Sequence, residues 1–550
     1  MGDEGLLIDP SGKGLAQAGT GRMRLAMSSS ILVAIALLLF AGVVWFGFYA
    51  THTKEVSDSD DREYASIARN ITNGKGIVRN FIYPLDINFF NTFPIPEFVH
   101  PPGYPLILAG FFKVLGISDF AALLPSYLSF FGLVLLLFLF VKRYLGIQVA
   151  ALAAVILIFN KQILDISLIA LSEAVYTFVF FLFFVLLVNS KSLRGIFFAG
   201  ILLGVSHLIR ENIYPFLLPI LIYLYFYPEL PRLKKMTLFI LGILIPILPN
   251  IIRTYLEMGS PFFSYGKFVL MAFTAKYPGL NIYREIQNPS LFEFLTAEPG
   301  QFFLKYASNL AKIFEQFMSI SNPYLMAPFF VEMFYWKVSP EWKRVKLLFL
   351  FLLISQILFL SLFTFTHRFL FPFLPVMTIF ASQCLFRFLP EGDCFREKRF
   401  LLLSLVLFLT FFAAPTLYTI LQPYKSAALK FKTPQYYFLI SRAEAKKLNE
   451  FLKVELKDSD LIWTDLPEIL EWEGDRSCGW LPTRVETIHE IHKKIPVDAI
   501  LLTSVMTPHY KGEEWRDLLF SGDSLPGYRT VKLYRSGVVH AKLLIRDGRE

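Results

Sequence analysis

Long apolar runs recur along the chain, separated by short polar punctuation, and a helix needs about 20 apolar residues to cross a hydrocarbon core about 30 Å thick. Read this way, the pattern predicts about eleven spans: Ile31–Ala50, Phe120–Val141, Val149–Phe159, Ala174–Val188, Ile196–Leu208, Ile213–Phe226, Met236–Ile252, Tyr324–Trp336, Val345–Phe363, Phe369–Leu389 and Phe400–Leu421. The segment Pro102–Gly116 is apolar but too short for a crossing, and reads as an interfacial or re-entrant helix. From about Tyr424 the pattern changes to that of a soluble unit. Leu461–Thr464, Ala499–Thr503, Val531–Tyr534 and Val538–Ile545 read as short strands, and Arg442–Leu452 and Arg484–Lys493 as helices.

Basic residues set the direction of the spans, because cytoplasmic loops concentrate Lys and Arg. Lys142 with Arg143, Lys191 with Arg194, Arg232 with Lys234 and Lys235, Lys343 with Arg344 and Lys346, and Arg396 with Lys398 and Arg399 punctuate alternate turns. With these inside, residues 1–29 are a polar cytoplasmic tail, Met23 and Met27 being later candidate starts. The first loop (51–118), the 160–173 turn, the 253–322 segment, His367-Arg368 and everything after residue 422 then share the extracytoplasmic face. The expected organisation is a membrane domain over 30–422 followed by an extracytoplasmic α/β domain over 423–550.

Composition agrees. Hydrophobic residues make up 55% of the 550 and charged residues 18%, against about 25% charged in soluble domains. The formal net charge of +9 is a topology signal and no pointer to nucleic acid. Cys384, Cys394 and Cys478 form no Cys-x-x-Cys pair and no zinc-like spacing with His. No Gly-rich phosphate loop or dinucleotide fingerprint is present.

In a chain short of charge, Asp58, Asp60, Asp61 and Glu63 cluster directly after the first span. Tyr64, Ile67, Ala68 and Ile71 then fall on one helical face and Gly74 can end the helix, so the acids open a juxtamembrane amphipathic helix. Asp60 at the N-cap with Glu63 reaching back is a capping box; the same carboxylate with one oxygen free is a candidate base. His100-Pro101-Pro102-Gly103-Tyr104-Pro105 is either a stiff helix start or a ligand-binding His beside prolines.

The ordered series of these segments resembles the polytopic GT-C glycosyltransferases, nearest the protein O-mannosyltransferase and aminoarabinose lipid A transferase (ArnT-like) group. Besides the acidic pair and the Pro-Pro-Gly-Tyr-Pro segment, Leu171-Ser172-Glu173-Ala174, Gly204–Arg210, Pro249–Tyr255 and His367-Arg368-Phe369 through Pro375 carry the resemblance. Glu63 stands where the aminoarabinose enzymes have a basic residue, and Thr254 replaces the usual Asn. The resemblance implies transfer of one sugar from a polyprenyl-phosphate donor to a hydroxyl of a glycolipid, polysaccharide or protein, at the outer face of a bacterial cytoplasmic membrane.

It further implies Asp60 as catalytic carboxylate, with Asp61 and Glu173 in support. Candidate contacts to donor or lipid phosphate are Arg210, Arg253, Lys267, His367, Arg368, Tyr64, His100 and Tyr104. Arg suits a leaving phosphate because its fork matches the oxygens, whereas basic residues at span ends also snorkel to headgroups. Glu173 is open to the simpler reading of a helix cap. No obligatory metal is expected, since single-sugar transferases of this kind generally act without one. A flippase of lipid-linked sugars is the alternative; it would place polar residues within the spans. A catalytically inactive scaffold is a third reading.

Overall fold

The computed structural model describes residues 14–52, 54–57, 59–211, 213–227, 229–364, 366–387, 395–421, 442–504, 513–536 and 539–548. Asp58, Cys394 and the boundary near 422 lie outside them. The helices in chain order are α1 (Gly14–Tyr49), α2 (Ser59–Thr72), α3 (Gly103–Leu115), α4 (Asp119–Leu145), α5 (Ile147–Ile158), α6 (Lys161–Ser167), α7 (Ser172–Asn189), α8 (Leu193–Ile209), α9 (Tyr214–Phe226) and α10 (Arg232–Met258). After them come α11 (Gly266–Met271), α12 (Leu291–Ala297), α13 (Pro299–Gln316), α14 (Pro323–Phe334), α15 (Pro340–Leu362), α16 (Leu374–Arg387) and α17 (Phe395–Leu421). α1 begins at Gly14, so part of the expected polar tail continues the first span as helix.

Among the described residues seven helices are long and apolar enough to cross a bilayer, or eight if the pair α5 and α6, bent by 61°, is one span. The expected count of eleven is not reached on length. α8, α9 and α14 have 17, 13 and 12 residues, and at 1.5 Å per residue the last two extend about 20 Å or less. The short Gly103–Leu115 helix also falls below that length.

The bundle has two chemically distinct ends. At one end Tyr144 closing α4 donates to Asn189 closing α7, and Arg344 at the start of α15 lies over Tyr227. There Glu332 of α14 is buried against Lys346 at 2.7 Å and Arg387 at 3.0 Å. α7 runs from this end to Ser172 and Glu173, about 25 Å away by helix rise. The basic clusters at 142–143, 191–194, 232–235 and 343–346 gather at the first end, and Asp60, Glu63 and Glu173 at the second.

The remainder is a six-stranded sheet in the order β2-β5-β4-β6-β8-β7, where β2 is Phe81–Ile82, β4 Ile462–Thr464, β5 Cys478–Trp480, β6 Ala499–Thr503, β7 Tyr528–Ser536 and β8 Val539–Arg546. Neighbours among the first four pair in parallel, and β8 runs antiparallel to both β6 and β7. A two-stranded ladder, β1 (Val78–Arg79) with β3 (Ile95–Pro96), sits in the first loop. Helices α18 (Arg442–Glu455) and α19 (Pro467–Gly474) cover one face of the large sheet, through Leu448, Leu452 and Leu470. α20 (Thr487–His492) and α21 (Glu513–Phe520) cover the other, through Ile488, Ile491, Trp515 and Leu519.

One strand of that sheet comes from the first loop. Successive strand residues point to opposite faces, so Phe81 enters the core beneath α18 and α19 while Ile82 enters the other. The C-terminal segment is thus not separate from the loop carrying Asp60, as a boundary at 423 implies; the two share a sheet.

Candidate active site at the acidic end of the bundle

Four elements converge on Asp60. α2 begins at Ser59, which places Asp60 in the first helical turn and not at the N-cap. The local reach-back is made by Asp61, buried, whose Oδ2 accepts the Ser57 N–H at 3.1 Å. Asp61 therefore holds the helix start. The expected capping box is also absent, because Glu63 points elsewhere.

Glu173 lies in the first turn of α7, where the helix dipole favours a carboxylate. Arg210 follows the last residue of α8, and Arg368 sits in the 3-10 stretch His367–Phe373 that leads into α16. Arg368 Nη2 donates to Asp60 Oδ2 at 2.8 Å, and its Nε lies 3.3 Å from Glu173 Oε1. Arg210 Nη1 meets the same Glu173 oxygen at 2.9 Å, and its guanidinium stacks 4.2 Å above the Phe369 ring. Side-chain exposure rises from 4% at Glu173 through 18% at Arg210 and 33% at Arg368 to 40% at Asp60. Glu173 is the buried anchor and Asp60 the member open to a ligand. Desolvation opposes ionisation of Asp60, but the charge of Arg368, then of His100, together with the Arg368 hydrogen bond and Arg210, holds its carboxyl below the usual range.

A second pair adjoins the first. Glu63, one turn along α2 from Asp60, accepts from or shares a proton with His100 Nε2 at 2.6 Å, and Tyr83 donates to its other oxygen at 3.4 Å. Burial pulls the His100 imidazole down, but the hydrogen bond and charge of Glu63, with Glu97 and Asp60 beyond, reverse this and push it up to about 9. Tyr64 packs on His100 with centroids 4.6 Å apart, and Tyr104 meets Tyr64 edge-on at 5.0 Å.

The loop carrying His100 rests on buried ions that the sequence did not single out. Glu97 Oε1 accepts the backbone N–H groups of Val99 and His100, and its Oε2 lies 3.2 Å from Arg79, which is paired at 2.8 Å with Asp86. Arg79 and Asp86 are fully buried. Gly103 lets α3 close on the end of α8: a Cβ there would stand 2.6 Å from the Leu208 carbonyl, so only glycine fits this approach beside Arg210.

Three further expected ligands have contacts of their own. Arg253 donates to the Glu97 carbonyl at 2.6 Å and pairs with Glu257 at 3.1 Å, buttressing the loop. Lys267 of α11 reaches Asn288 at 3.4 Å and lies over Phe268. His367 neighbours Arg368 in sequence but packs on Phe371. Among the described residues no three His, Cys, Asp or Glu side chains are grouped as metal ligands.

Residues 99–252 match the family model described as dolichyl-phosphate-mannose-protein mannosyltransferase. No curated protein matches the sequence. Among solved structures, the chain is similar to ArnT from Cupriavidus metallidurans in the apo state, with a TM-score of 0.56 at 13% identity over 94% of this chain and 98% of that one. The same protein bound to undecaprenyl phosphate aligns with a TM-score of 0.55 at 13% identity, over 92% and 97% of the two chains. At this identity the likeness is one of fold.

Proposed function

We propose that this chain, which resembles the GT-C glycosyltransferases of the protein O-mannosyltransferase and ArnT-like group, is a membrane glycosyltransferase with a polyprenyl-phosphate sugar as donor. It moves one sugar to an acceptor hydroxyl at the extracytoplasmic face, with inversion. The observation that carries the reading is the Asp60 carboxylate, 40% exposed and bonded to Arg368, which in turn meets Glu173 beside Arg210. A base stands next to two cations of the kind that bind phosphate. The family match over 99–252 and the fold shared with ArnT, one of whose structures holds undecaprenyl phosphate, support it.

In this reaction the acceptor oxygen bonds to the anomeric carbon, its proton passes to Asp60, and the carbon–phosphate oxygen bond breaks with its electron pair leaving on the phosphate. Arg368 and Arg210 offset the charge gained there. Asp60, held well ionised, is a weak base, which suits a late proton transfer: the hydroxyl becomes acidic as its oxygen bonds to carbon. Arg368 is shared between base and leaving group. As the phosphate gains charge and draws Arg368 towards it, Asp60 loses part of its counter-ion and becomes more basic when the proton arrives. Glu173 fixes both guanidinium groups, and His100 adds a third cation on the Asp60 side. The scheme draws on no metal ion.

The test is Asp60→Asn in the full-length protein in membranes, with mass spectrometry of envelope glycolipids and glycoproteins. Loss of a single sugar mass at unchanged protein level is expected. Undiminished transfer overturns Asp60 as the base, and movement of lipid-linked sugar across the membrane without transfer replaces the enzyme by a flippase.

A further inference from the structure

The first turn of α2 is fastened from the far end of the chain. α19 lies along α2 and is tied at both ends. Beside the base, Ser59 Oγ donates to Glu468 Oε1 at 2.9 Å; Ser59 directly precedes Asp60, and Glu468, in the first turn of α19, is 1% exposed. At the other end Arg69 donates to the Trp472 carbonyl at 3.1 Å and the Glu471 carbonyl at 2.7 Å, and pairs with Asp475 at 3.1 Å. Those carbonyls belong to the last turn of α19, where acceptors lack partners within the helix and a cation is favoured. Midway, Glu471 accepts the Asn80 N–H at 3.1 Å, next to the loop strand β2.

The two ties differ. The Arg69 end is a helix cap that any two packed helices can use. Glu468 is a buried carboxyl whose Oε2 makes no hydrogen bond among the described residues, a costly arrangement for a group that only fills space. Arg62, Glu63 and Arg284 act on it through their charge, and its side-chain hydrogen bond is with the hydroxyl adjoining Asp60, on the turn of α2 that is least held by helical hydrogen bonds. We infer that Glu468 is a positioning residue: through Ser59 it fixes the first turn of α2 in the register that brings Asp60 onto Arg368, so the C-terminal sheet unit is part of the catalytic apparatus. This rests on the reading of Asp60 as the base.

Ser59→Ala, Glu468→Ala and Glu468→Gln, in the full-length protein in membranes, test it by single-sugar transfer across a pH series, normalised to folded protein. Hydrogen–deuterium exchange of the peptide 57–64 needs no substrate and reads the turn directly. Ser59→Ala and Glu468→Ala should each lower transfer roughly 10- to 100-fold, the scale of a misplaced catalytic group. Both should speed exchange in 57–64 and move the acid limb of the profile upward, as Asp60 loses steady contact with Arg368. Glu468→Gln, which keeps an acceptor for Ser59, should restore most of the rate. Ser59 is small and only half-buried, so its variant decides the matter even where Glu468→Ala folds poorly. Wild-type transfer, acid limb and exchange in Ser59→Ala overturn the inference. If Asp60→Asn is inactive while Ser59→Ala is normal, only the inference fails. If Asp60→Asn transfers fully, the base assignment fails, and the exchange measurement still decides whether Glu468 holds the turn.

Discussion

In the acidic cluster a carboxylate and an imidazole are each displaced from the ordinary protonation range by the partner they touch. Asp60 is lowered by Arg368, so their pairing contributes fully above the ordinary carboxylate value near 4 and is lost as pH falls through the still lower folded value. Arg368→Gln removes the largest attractive charge and should carry the acid limb of transfer upward towards the ordinary Asp range, with a fall in rate; a pH–rate profile measures both. His100 is raised, so its pairing with Glu63 is fully present below about 6.5 and lost as pH rises through about 9. Thermal unfolding in detergent should therefore show a loss of stability between about pH 6.5 and 9 that His100→Gln lacks. Asp60, Glu173, Arg210 and Arg368, named through the family resemblance, lie together in the structure. What each charge touches was not legible in the sequence. Arg253 stands on the Glu97 carbonyl and Lys267 beside Asn288, contacts that the sequence does not show. Glu63, read as structural, is instead the partner that charges His100.

Arg210 reaches the site only because α8 lies hard against its neighbours. Gly200 and Gly204 of α8 face α10, and a Cβ on Gly204 would stand 2.5 Å from the Ile243 carbonyl and 2.6 Å from the Pro246 ring. On α10 a Cβ at Gly242 would collide with the Phe197 carbonyl. Small residues let helix backbones approach in this way within a membrane. Gly242→Ala should therefore destabilise the protein by about 1–3 kcal/mol, the usual cost of overpacking, and lower transfer by shifting Arg210. Thermal unfolding and activity of the purified variant check this, whereas Gly42→Ala, with open space around its Cβ, should be neutral. The glycine-rich run was visible in sequence; its packing partner was not. β2 had no signal at all, being two residues in a loop. Likewise β5 and α19 were missed, since three and eight residues carry too little periodicity to stand out.

At the scale of the whole molecule, one geometric fact bears on how it sits in a membrane: the basic clusters and the acidic site occupy opposite ends of α7. The positive-inside rule turns that polarity into an orientation. Lys191, exposed beyond the basic end, should face the cytoplasm, whereas Lys75 of the first loop and Val454 of α18, both exposed, should lie outside with the sheet they share. Single cysteines at these positions, treated in intact cells with a membrane-impermeant maleimide, read the prediction directly. Cys384 and Cys478 are buried and free, so replacing Cys394 by Ser leaves a background of two shielded thiols. Lys75→Cys and Val454→Cys should react without permeabilisation and Lys191→Cys only after it. Because β2 and β5 are hydrogen-bonded neighbours, Lys75 and Val454 must agree with each other whichever way the bundle points. Agreement on the cytoplasmic side would invert the orientation and put Asp60, and with it the proposed transfer, on the inner face. Disagreement between the two positions would instead break the shared sheet, and with it the path from Glu468 to Asp60.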